Sequence, residues 1–320
     1  MLRSILIYLS QAAWARKIVT GWSFSWRAAS RFVAGENLQD AIEASRELNS
    51  KGINATLDHL GEHTSDPEKA LQATEDVLEA LSAIDSAGVR ANFSIKLTQI
   101  GLALDEELCK DNLERIIRHA QKYNNFVRID MEDSPWIDNT LSLYEYIRED
   151  CLCDNVGIVI QSYLYRSEED ITKILKMNGR VRLCKGAYQE PEDIAFPSKR
   201  DVDANYDKLT EILVDGALLA DSLAISEDGK IPPIPAIATH DEKRIQHAKA
   251  YMKKANLSFS AIEFQMLFGI RRDLQEQLAN DGYPVRVYVP YGTEWYPYFT
   301  RRLAERPANL WFFISNLFRK

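Results

Sequence analysis

Ala91-Asn-Phe-Ser-Ile-Lys-Leu-Thr98 is the stretch that decides the fold of this chain. Its odd-numbered positions are apolar and its even-numbered positions are polar, including a lysine at position 96. Successive side chains of a β-strand point to opposite faces, so the alternation predicts a strand with one face against apolar neighbours. The opposite face is polar, and a charge buried there is costly unless it is paired or binds a ligand.

Seven further β-rich runs accompany this one. The eight runs lie near residues 53–60, 91–98, 126–132, 155–163, 181–188, 234–240, 259–267 and 285–292. Segments with helical apolar spacing lie between them, for example 69–87, 105–123 and 141–150. Strands that alternate with helices predict a parallel sheet, and eight such cycles predict an α/β fold closed into a (βα)8 barrel of the TIM type.

The length of 320 residues sets the domain organisation. A barrel of this type needs about 250 residues, and we expect it to span residues 51–306. Residues 1–50 are expected to be an N-terminal helical segment, and residues 307–320 an aromatic and basic C-terminal tail. We expect the last helix to lie over the C-terminal mouth of the barrel.

The composition excludes several classes of protein. The formal net charge of −8 does not suit a nucleic-acid binder, which needs a basic surface. No apolar run reaches the length of about 20 residues that spans a membrane. Four cysteines form no disulfide framework or zinc spacing, so we expect reduced thiols in the cytosol. These cysteines are Cys109, Cys151, Cys153 and Cys184.

Both termini interleave aromatic and basic residues, as at Trp14 and Arg16 near the start and Trp311 and Arg319 near the end. Such a pattern suits contact with a membrane surface. The alternative is that both ends pack on the domain as ordinary amphipathic helices, and we slightly favour this second interpretation.

The polar faces of the strands allow two interpretations. One is an internal salt-bridge network, for example between Arg128 and Glu132. The other is a ligand site, because polar groups from most of the strands converge on the mouth of the barrel. Similar alternation places Glu263 and Gln265 on the inner face. We favour the ligand site.

The segment from Tyr288 to Glu305 reads as a strand, a glycine turn and a helix. In that helix Tyr298 lies three and four residues before Arg301 and Arg302, so these side chains can share a face. Two guanidinium groups match a carboxylate, with bidentate geometry available. A solvated helix face would give the same spacing, and the segment alone does not separate the two interpretations.

Two further motifs end strands. Gly186, in Val181-Arg-Leu-Cys-Lys-Gly-Ala-Tyr188, permits close approach of the backbone to a ligand. His240 ends Ala238-Thr-His240, and a lone histidine there is as consistent with a structural role as with a functional one.

Six short motifs contain most of the candidate site residues. They are Ser94-Ile-Lys-Leu-Thr98, Ile129-Asp-Met-Glu132, Arg182-Leu-Cys-Lys-Gly-Ala-Tyr188, Ala238-Thr-His240, Glu263-Phe-Gln-Met-Leu267 and Tyr298-Phe-Thr-Arg-Arg-Leu-Ala-Glu305. Together these motifs resemble the proline dehydrogenase family, in its short monofunctional bacterial form, and they occur in the family's order between about residues 53 and 305.

The resemblance implies an enzyme that oxidises L-proline to Δ1-pyrroline-5-carboxylate by hydride transfer from C5 to bound FAD. This reaction is the first step of proline catabolism, and the electrons would pass to a membrane quinone. We expect the protein in the cytoplasm, or peripherally on the inner face of the cell membrane, with no metal and no nucleic-acid partner.

The resemblance also implies roles for particular residues. Those expected at the substrate are Lys96, Leu267, Tyr288, Tyr298, Arg301 and Arg302, with Asp130 and Tyr188 as catalytic residues. Those expected at FAD are Met131, Gln161, Arg182, Lys185, Gly186, Ala187, Lys199, Thr239 and His240. Glu62 would pair with Arg302 as a gate. The base for the proline amine is open between Asp130 and water.

Three other functions compete with this one. A Schiff-base lyase would use Lys96 or Lys185 as its nucleophile. A metal-dependent hydrolase would use His59, His63 and His240, although the His-x-His strand motif is missing. A membrane-surface scaffold would have no use for inward-facing charges.

Overall fold

The computed structural model describes residues 26, 29–61, 63–220 and 223–305. Its centre is a closed barrel in which each of eight strands pairs in parallel with the next and β8 pairs with β1. The strands are β1 (Asn54–His59), β2 (Ala91–Ile95), β3 (Val127–Ile129), β4 (Val156–Gln161), β5 (Arg180–Cys184), β6 (Pro235–Ala238), β7 (Glu263–Leu267) and β8 (Val285–Tyr291). The predicted barrel is confirmed.

Helices follow the strands in alternation. In the described ranges the α-helices are α1 (Leu38–Ser50), α2 (Pro67–Ala87), α3 (Glu106–Lys122), α4 (Ile137–Glu145), α5 (Ser167–Lys176), α6 (Lys199–Leu219), α7 (Glu242–Lys254), α8 (Arg272–Asn280) and α9 (Trp295–Glu305). A π-helical turn at Tyr146–Asp150 extends α4. None of the described helices is long and apolar enough to cross a membrane.

Local sequence fixes where α2 begins and ends. The side chain of Asp66 accepts a hydrogen bond from the backbone N–H of Glu68, and Pro67 occupies the first helical turn. Both residues suit a helix N-terminus, because one satisfies an exposed N–H and the other lacks one. Gly88 ends the helix in the left-handed region at φ 60°, which a residue without Cβ adopts at little cost.

The alternation in β2 has the predicted outcome. Phe93 and Ile95 belong to the apolar core that lies between the strands and the helices. Ser94, between them, points into the barrel, where its hydroxyl donates to Asp130 at 2.7 Å. The same rule places a charged residue of β5, Arg182, inside the barrel with Asp130 at 2.8 Å.

An ion pair fills the lower part of the barrel, away from the mouth. Arg286 on β8 donates to both carboxylate oxygens of Glu263 on β7, at 2.9 and 3.0 Å. The guanidinium also donates to the carbonyl oxygens of Ala55 and Gly229 at 2.8 and 2.6 Å. Both charged side chains are 0% exposed, so every polar contact here is made inside the protein.

The internal pair between Arg128 and Glu132 does not form. Arg128 donates instead to the carbonyl oxygens of Ile158 and Arg180. Glu132 lies beyond the end of β3, where it accepts from the backbone N–H and the hydroxyl of Thr98. The two side chains are four residues apart in the sequence but occupy different levels of the barrel, so the example chosen for a salt-bridge network was wrong.

Helix α1 occupies the position in the outer layer next to β8. It contacts β1 and β8, and its Ala41 and Ile42 are buried in the main core. Helix α9, which follows β8, belongs to a separate apolar cluster in which its Trp295 and Phe299 lie with Phe32. Because α1 occupies the place beside β8 in the outer layer, the last helix lies outside that layer and covers the mouth of the barrel. The predicted divisions at residues 50 and 306 stay predictions, and the tail lies outside the described residues.

Candidate active site

A cavity of 410 Å³ opens at the carboxyl ends of the strands, beneath α9. It brings together sixteen of the predicted site residues, from the ends of the strands β2 to β8 and from α9. They are Lys96, Asp130, Met131, Gln161, Arg182, Lys185, Gly186, Ala187, Tyr188, Thr239, His240, Leu267, Tyr288, Tyr298, Arg301 and Arg302.

Asp130 is the centre of the polar network on the cavity floor. Its Oδ1 accepts from the Arg182 guanidinium at 2.8 Å and from the Ser94 hydroxyl at 2.7 Å. Its Oδ2 accepts from the Tyr288 hydroxyl at 2.7 Å. Burial, then the charge of Asp130, raises the pKa of Tyr288 well above its ordinary value. Tyr288 therefore stays a neutral donor, and Asp130 connects strands β2, β3, β5 and β8.

Lys96 lies between two carboxylates at the end of β2. Its Nζ donates to Asp58 Oδ1 at 2.9 Å and is 3.9 Å from Asp130 Oδ2. Asp58 ends the inward face of β1 and is 1% exposed. Burial raises the pKa of Asp58; the charge of Lys96 opposes the rise and that of Asp130 adds to it.

Helix α9 carries the arginine pair over this floor. Arg301 and Arg302 both line the cavity, and Arg302 is only 9% exposed. The Arg302 guanidinium lies over the ring of Tyr298, 5.1 Å from its centroid. A solvated helix face would leave both side chains in water, so the structure decides against that interpretation and places two cations at the cavity.

The helix is held there by aromatic packing at its start. Trp295 contacts Trp26 with ring centroids 5.6 Å apart, and Phe299 contacts Phe32 at 6.3 Å. These contacts link α9 to the residues that precede α1. Aromatic pairs at such distances stabilise the packing by about 0.5–1.5 kcal/mol each beyond their buried area.

A second charged network lies at the rim, where β5 and β6 end. Lys185 donates to Asp203 at 2.5 Å and to Asp241 at 2.7 Å. Burial opposes ionisation of Asp203, but the hydrogen bonds from Lys185 and Lys199 outweigh it and lower the pKa of this carboxyl. Lys199 pairs with Asp203 from outside the cavity, 75% exposed. The structure thus links Lys199 to Lys185 through shared carboxylates rather than bringing it into the cavity.

The wall formed by β4, β5 and β6 has features of a cradle for a planar ligand. The Gln161 amide donates to the carbonyl of Met131 at 2.9 Å, while its buried Oε1 accepts no hydrogen bond within the described chain. An acceptor buried in that way is costly unless a bound group donates to it. Gly186 has φ 114°, which only a glycine adopts readily, and brings backbone to the cavity edge. The residues present therefore fit a bound ring system with N–H or hydroxyl donors.

His240 is oriented by the neighbouring strand. Its Nε2 accepts from the backbone N–H of Leu267 at 3.0 Å, which fixes the ring at the cavity wall. The hydrogen bond to Leu267 gives His240 a structural role, because it joins the end of β6 to β7. The position of His240 in the cavity lining is also consistent with a functional role.

Several lining residues had no role assigned from the sequence. They are Asp58, Val159, Cys184, Ala238, Gln265 and Met266. Strand alternation had placed Gln265 on the inner face of β7 without a role, and its side chain there accepts a hydrogen bond from Arg182 and donates one to Glu263. Burial raises the pKa of the Cys184 thiol to about 12, which favours the protonated thiol over the nucleophilic thiolate. Glu62, the predicted gate, lies outside the described residues.

The contacts of the lysines and histidines in the cavity argue against the Schiff-base lyase and the metal-dependent hydrolase. A Schiff-base nucleophile must be a free amine, whereas Lys96 and Lys185 are each hydrogen-bonded to carboxylates. Among the residues that the structure describes, no three histidine, cysteine or acidic side chains are grouped as metal ligands are. The site therefore favours recognition of an anionic ligand over either rival.

Comparison with known proteins gives a consistent result. The family model described as "Proline dehydrogenase" matches residues 41–314. "Proline dehydrogenase 1" of Bacillus subtilis strain 168 is 39% identical over 320 residues, which is 100% of both chains. "Proline dehydrogenase" of Deinococcus radiodurans is 40% identical over 297 residues, covering 92% of this chain and 91% of that protein.

A solved structure with a related name has the same fold as this chain. The crystal structure of proline utilization A from Bdellovibrio bacteriovorus, inactivated by N-propargylglycine, superposes with a TM-score of 0.79 at 25% identity. The match covers 88% of this chain and 33% of that one. The resemblance seen in the motifs and the prediction of an oxidoreductase are both confirmed: this chain belongs to the proline dehydrogenase family.

Proposed function

We propose that the protein oxidises L-proline to Δ1-pyrroline-5-carboxylate, with FAD as its cofactor and hydride transfer from C5 as the chemical step. The observation that carries this proposal is the cavity itself. It is lined by three cations, Lys96, Arg301 and Arg302, and by polar groups that follow β4, β5 and β6. A small carboxylate and a large planar cofactor fit these two halves.

The cations would bind the proline carboxylate. Guanidinium groups pair with carboxylates in bidentate fashion, and such charge-assisted hydrogen bonds are about twice as strong as neutral ones. Arg302 is almost buried, so its pairing with an anion would be little screened by water. Tyr288, Tyr298 and Leu267 line the same region and would enclose the apolar pyrrolidine ring.

The cofactor residues lie on the opposite wall. Lys185, Gly186 and Ala187 follow β5 and Thr239 and His240 follow β6, where they would hold the flavin and its phosphates. Gln161 would accept a hydrogen bond through its buried Oε1. Lys199, with its neighbours in α6, would contact the adenosine end from outside the cavity. When bound there, the flavin supplies the acceptor for the two electrons.

The chain's own contribution to the reaction is orientation and a fixed electrostatic field. Carboxylate binding would fix the proline ring, which removes the entropy cost of aligning C5. Arg182 is held by hydrogen bonds to Asp130, Ser94 and Gln265, and its positive charge would stabilise the negative charge that the flavin gains on reduction.

The amine proton of proline would more readily pass to water than to Asp130, because both oxygens of this carboxylate already accept hydrogen bonds. Tyr188 lines the cavity, and we assign it to contact with the substrate.

The first prediction concerns the visible spectrum. Purified protein is expected to be yellow, with a flavin absorbance that bleaches when L-proline is added without air, because hydride transfer reduces the ring. D-proline is the matched control, since the same groups in mirror-image arrangement cannot align C5. A colourless protein that is inactivated by borohydride in the presence of substrate would instead indicate the Schiff-base lyase.

The acceptor of the electrons is part of the same proposal. We propose that a membrane quinone takes them and that the protein works in the cytoplasm, with peripheral contact at the inner face of the cell membrane. What supports this is the interleaving of aromatic and basic residues in 1–31 and 307–320, a pattern that suits membrane surfaces.

The second prediction tests this docking role. Removal of residues 307–320 is expected to lower the rate with a quinone in phospholipid vesicles, because the aromatic and basic side chains no longer bind the surface. The rate with a water-soluble dye acceptor should not change and serves as the control. Equal activity of both forms with the vesicle-bound quinone would exclude a docking role for this segment.

A further inference from the structure

Asp58 is a cavity residue that no motif singled out. It lies one residue before the end of β1, is 1% exposed and lines the cavity floor. Its Oδ1 accepts from Lys96 Nζ at 2.9 Å, and its Oδ2 is buried without a hydrogen-bond donor among the described residues. A buried carboxylate is costly, so its presence at this position calls for a function.

The neighbouring carboxylate has a different task. Asp130 accepts from Ser94, Arg182 and Tyr288, all within 2.8 Å. Lys96 is 3.9 Å from it, which is beyond hydrogen-bond distance. The geometry thus assigns Asp130 to Arg182, and Asp58 to Lys96.

We propose that Asp58 is a positioning residue, which holds the Lys96 ammonium group where it binds the substrate carboxylate. This inference rests on the proposed function and deepens it. A lysine side chain is flexible and carries three donors, so a fixed acceptor can restrain it through one of them. Asp58 also compensates the charge of Lys96 inside the barrel, which allows the third cation to sit far from water.

A double-mutant cycle tests the coupling between these two residues. The variants are Asp58→Ala, Lys96→Met and the double variant, each compared with the unaltered holoenzyme. The probe is cyclopentanecarboxylate, a five-membered ring with a carboxylate and no amine to oxidise. Its Kd is read from the change that it causes in the flavin absorbance, and the KM and kcat for L-proline are measured alongside.

Asp58→Ala is expected to raise the Kd of the probe and the KM for L-proline at least about tenfold, because charge-assisted hydrogen bonds contribute on that scale. The double variant should bind no more weakly than Lys96→Met alone, since the two residues act as one unit. Asp58→Asn keeps an acceptor oxygen without the charge and should give an intermediate Kd. The kcat should change less than the KM.

Two controls separate positioning from folding. Asp281→Asn removes an acidic residue that pairs with Lys249 at 3.0 Å on the surface, and it should leave both constants unchanged. Cyclopentanecarboxamide lacks the anionic group, and its weak binding should not respond to Asp58→Ala. The flavin content and the Tm of each variant report on folding directly.

Each other outcome overturns the inference. If the effects of Asp58→Ala and Lys96→Met multiply in the double variant, Asp58 acts independently of Lys96. If kcat falls while KM and Kd stay constant, Asp58 handles a proton instead. Failure of the unaltered protein to be bleached by L-proline would refute the proposed function, whereas an additive cycle in an active enzyme would refute only the role of Asp58.

Discussion

Arg302→Met is expected to raise the KM for L-proline by about 30-fold to several thousand-fold while FAD stays bound. Truncating one partner of a buried charge pair costs roughly 2–5 kcal/mol, and every 1.4 kcal/mol corresponds to about tenfold. Arg302 is 9% exposed at the cavity, so its pairing with the substrate carboxylate has little competition from water. Methionine keeps most of the side-chain volume and removes only the charge and the donors.

Arg301→Met should act in the same direction, because Arg301 lines the same cavity from the same helix. Arg115→Met is the matched control, since this arginine pairs with Glu75 on the exposed surface. Steady-state kinetics over a wide range of proline concentrations measures the effect, and the flavin-to-protein ratio confirms that the cofactor is retained. A normal KM in both cavity variants would refute the carboxylate-binding assignment.

Glu263→Gln is expected to lower the free energy of unfolding by about 3–5 kcal/mol, since it leaves a buried charge without compensation. The change is nearly isosteric. The Arg286 guanidinium keeps its bonds to Ala55 and Gly229 but loses its anionic partner at 2.9 Å, inside the barrel with 0% exposure. Urea or thermal unfolding of the purified variant measures the loss.

The surface ion pair of Asp138 and Arg166 provides the comparison. Asp138 is 83% exposed, and Asp138→Asn should change stability by no more than about 1 kcal/mol. Replacing both Glu263 and Arg286 by methionine should recover part of the loss, because the interior then contains no charge that lacks a partner. Equal stability of Glu263→Gln and Asp138→Asn would show that the barrel interior tolerates an uncompensated arginine.

The fold could be predicted from strand periodicity because strands such as β2, β7 and β8 contact the core on one face and polar groups on the other. In β2 this alternation alone correctly assigned Phe93 to the core and Ser94 to the interior. The site followed in part from the same rule, since inward positions near the strand ends must line the mouth. The arginine pair needed the fold before its two interpretations could be separated.

Other features depend on distances between strands that a single sequence does not contain. The sequence around Asp58 in β1 gives no sign of a role for this residue. Its role depends on contact with Lys96, which lies 38 residues later in the chain. The failed pairing of Arg128 with Glu132 has the same origin. Residues four apart on an extended strand are separated by about 13 Å, so neighbours in the sequence are poor candidates for contact there.

The position of α1 beside β1 and β8 has a consequence for engineering the enzyme. The outer layer of the barrel is complete without α9, and the two helices belong to different apolar clusters. Side chains of α9 that face the cavity can therefore be exchanged without removing a contact on which barrel closure depends. Libraries that vary Tyr298 and its neighbours could be screened for cyclic amino acids of other ring sizes while the scaffold retains its thermal stability.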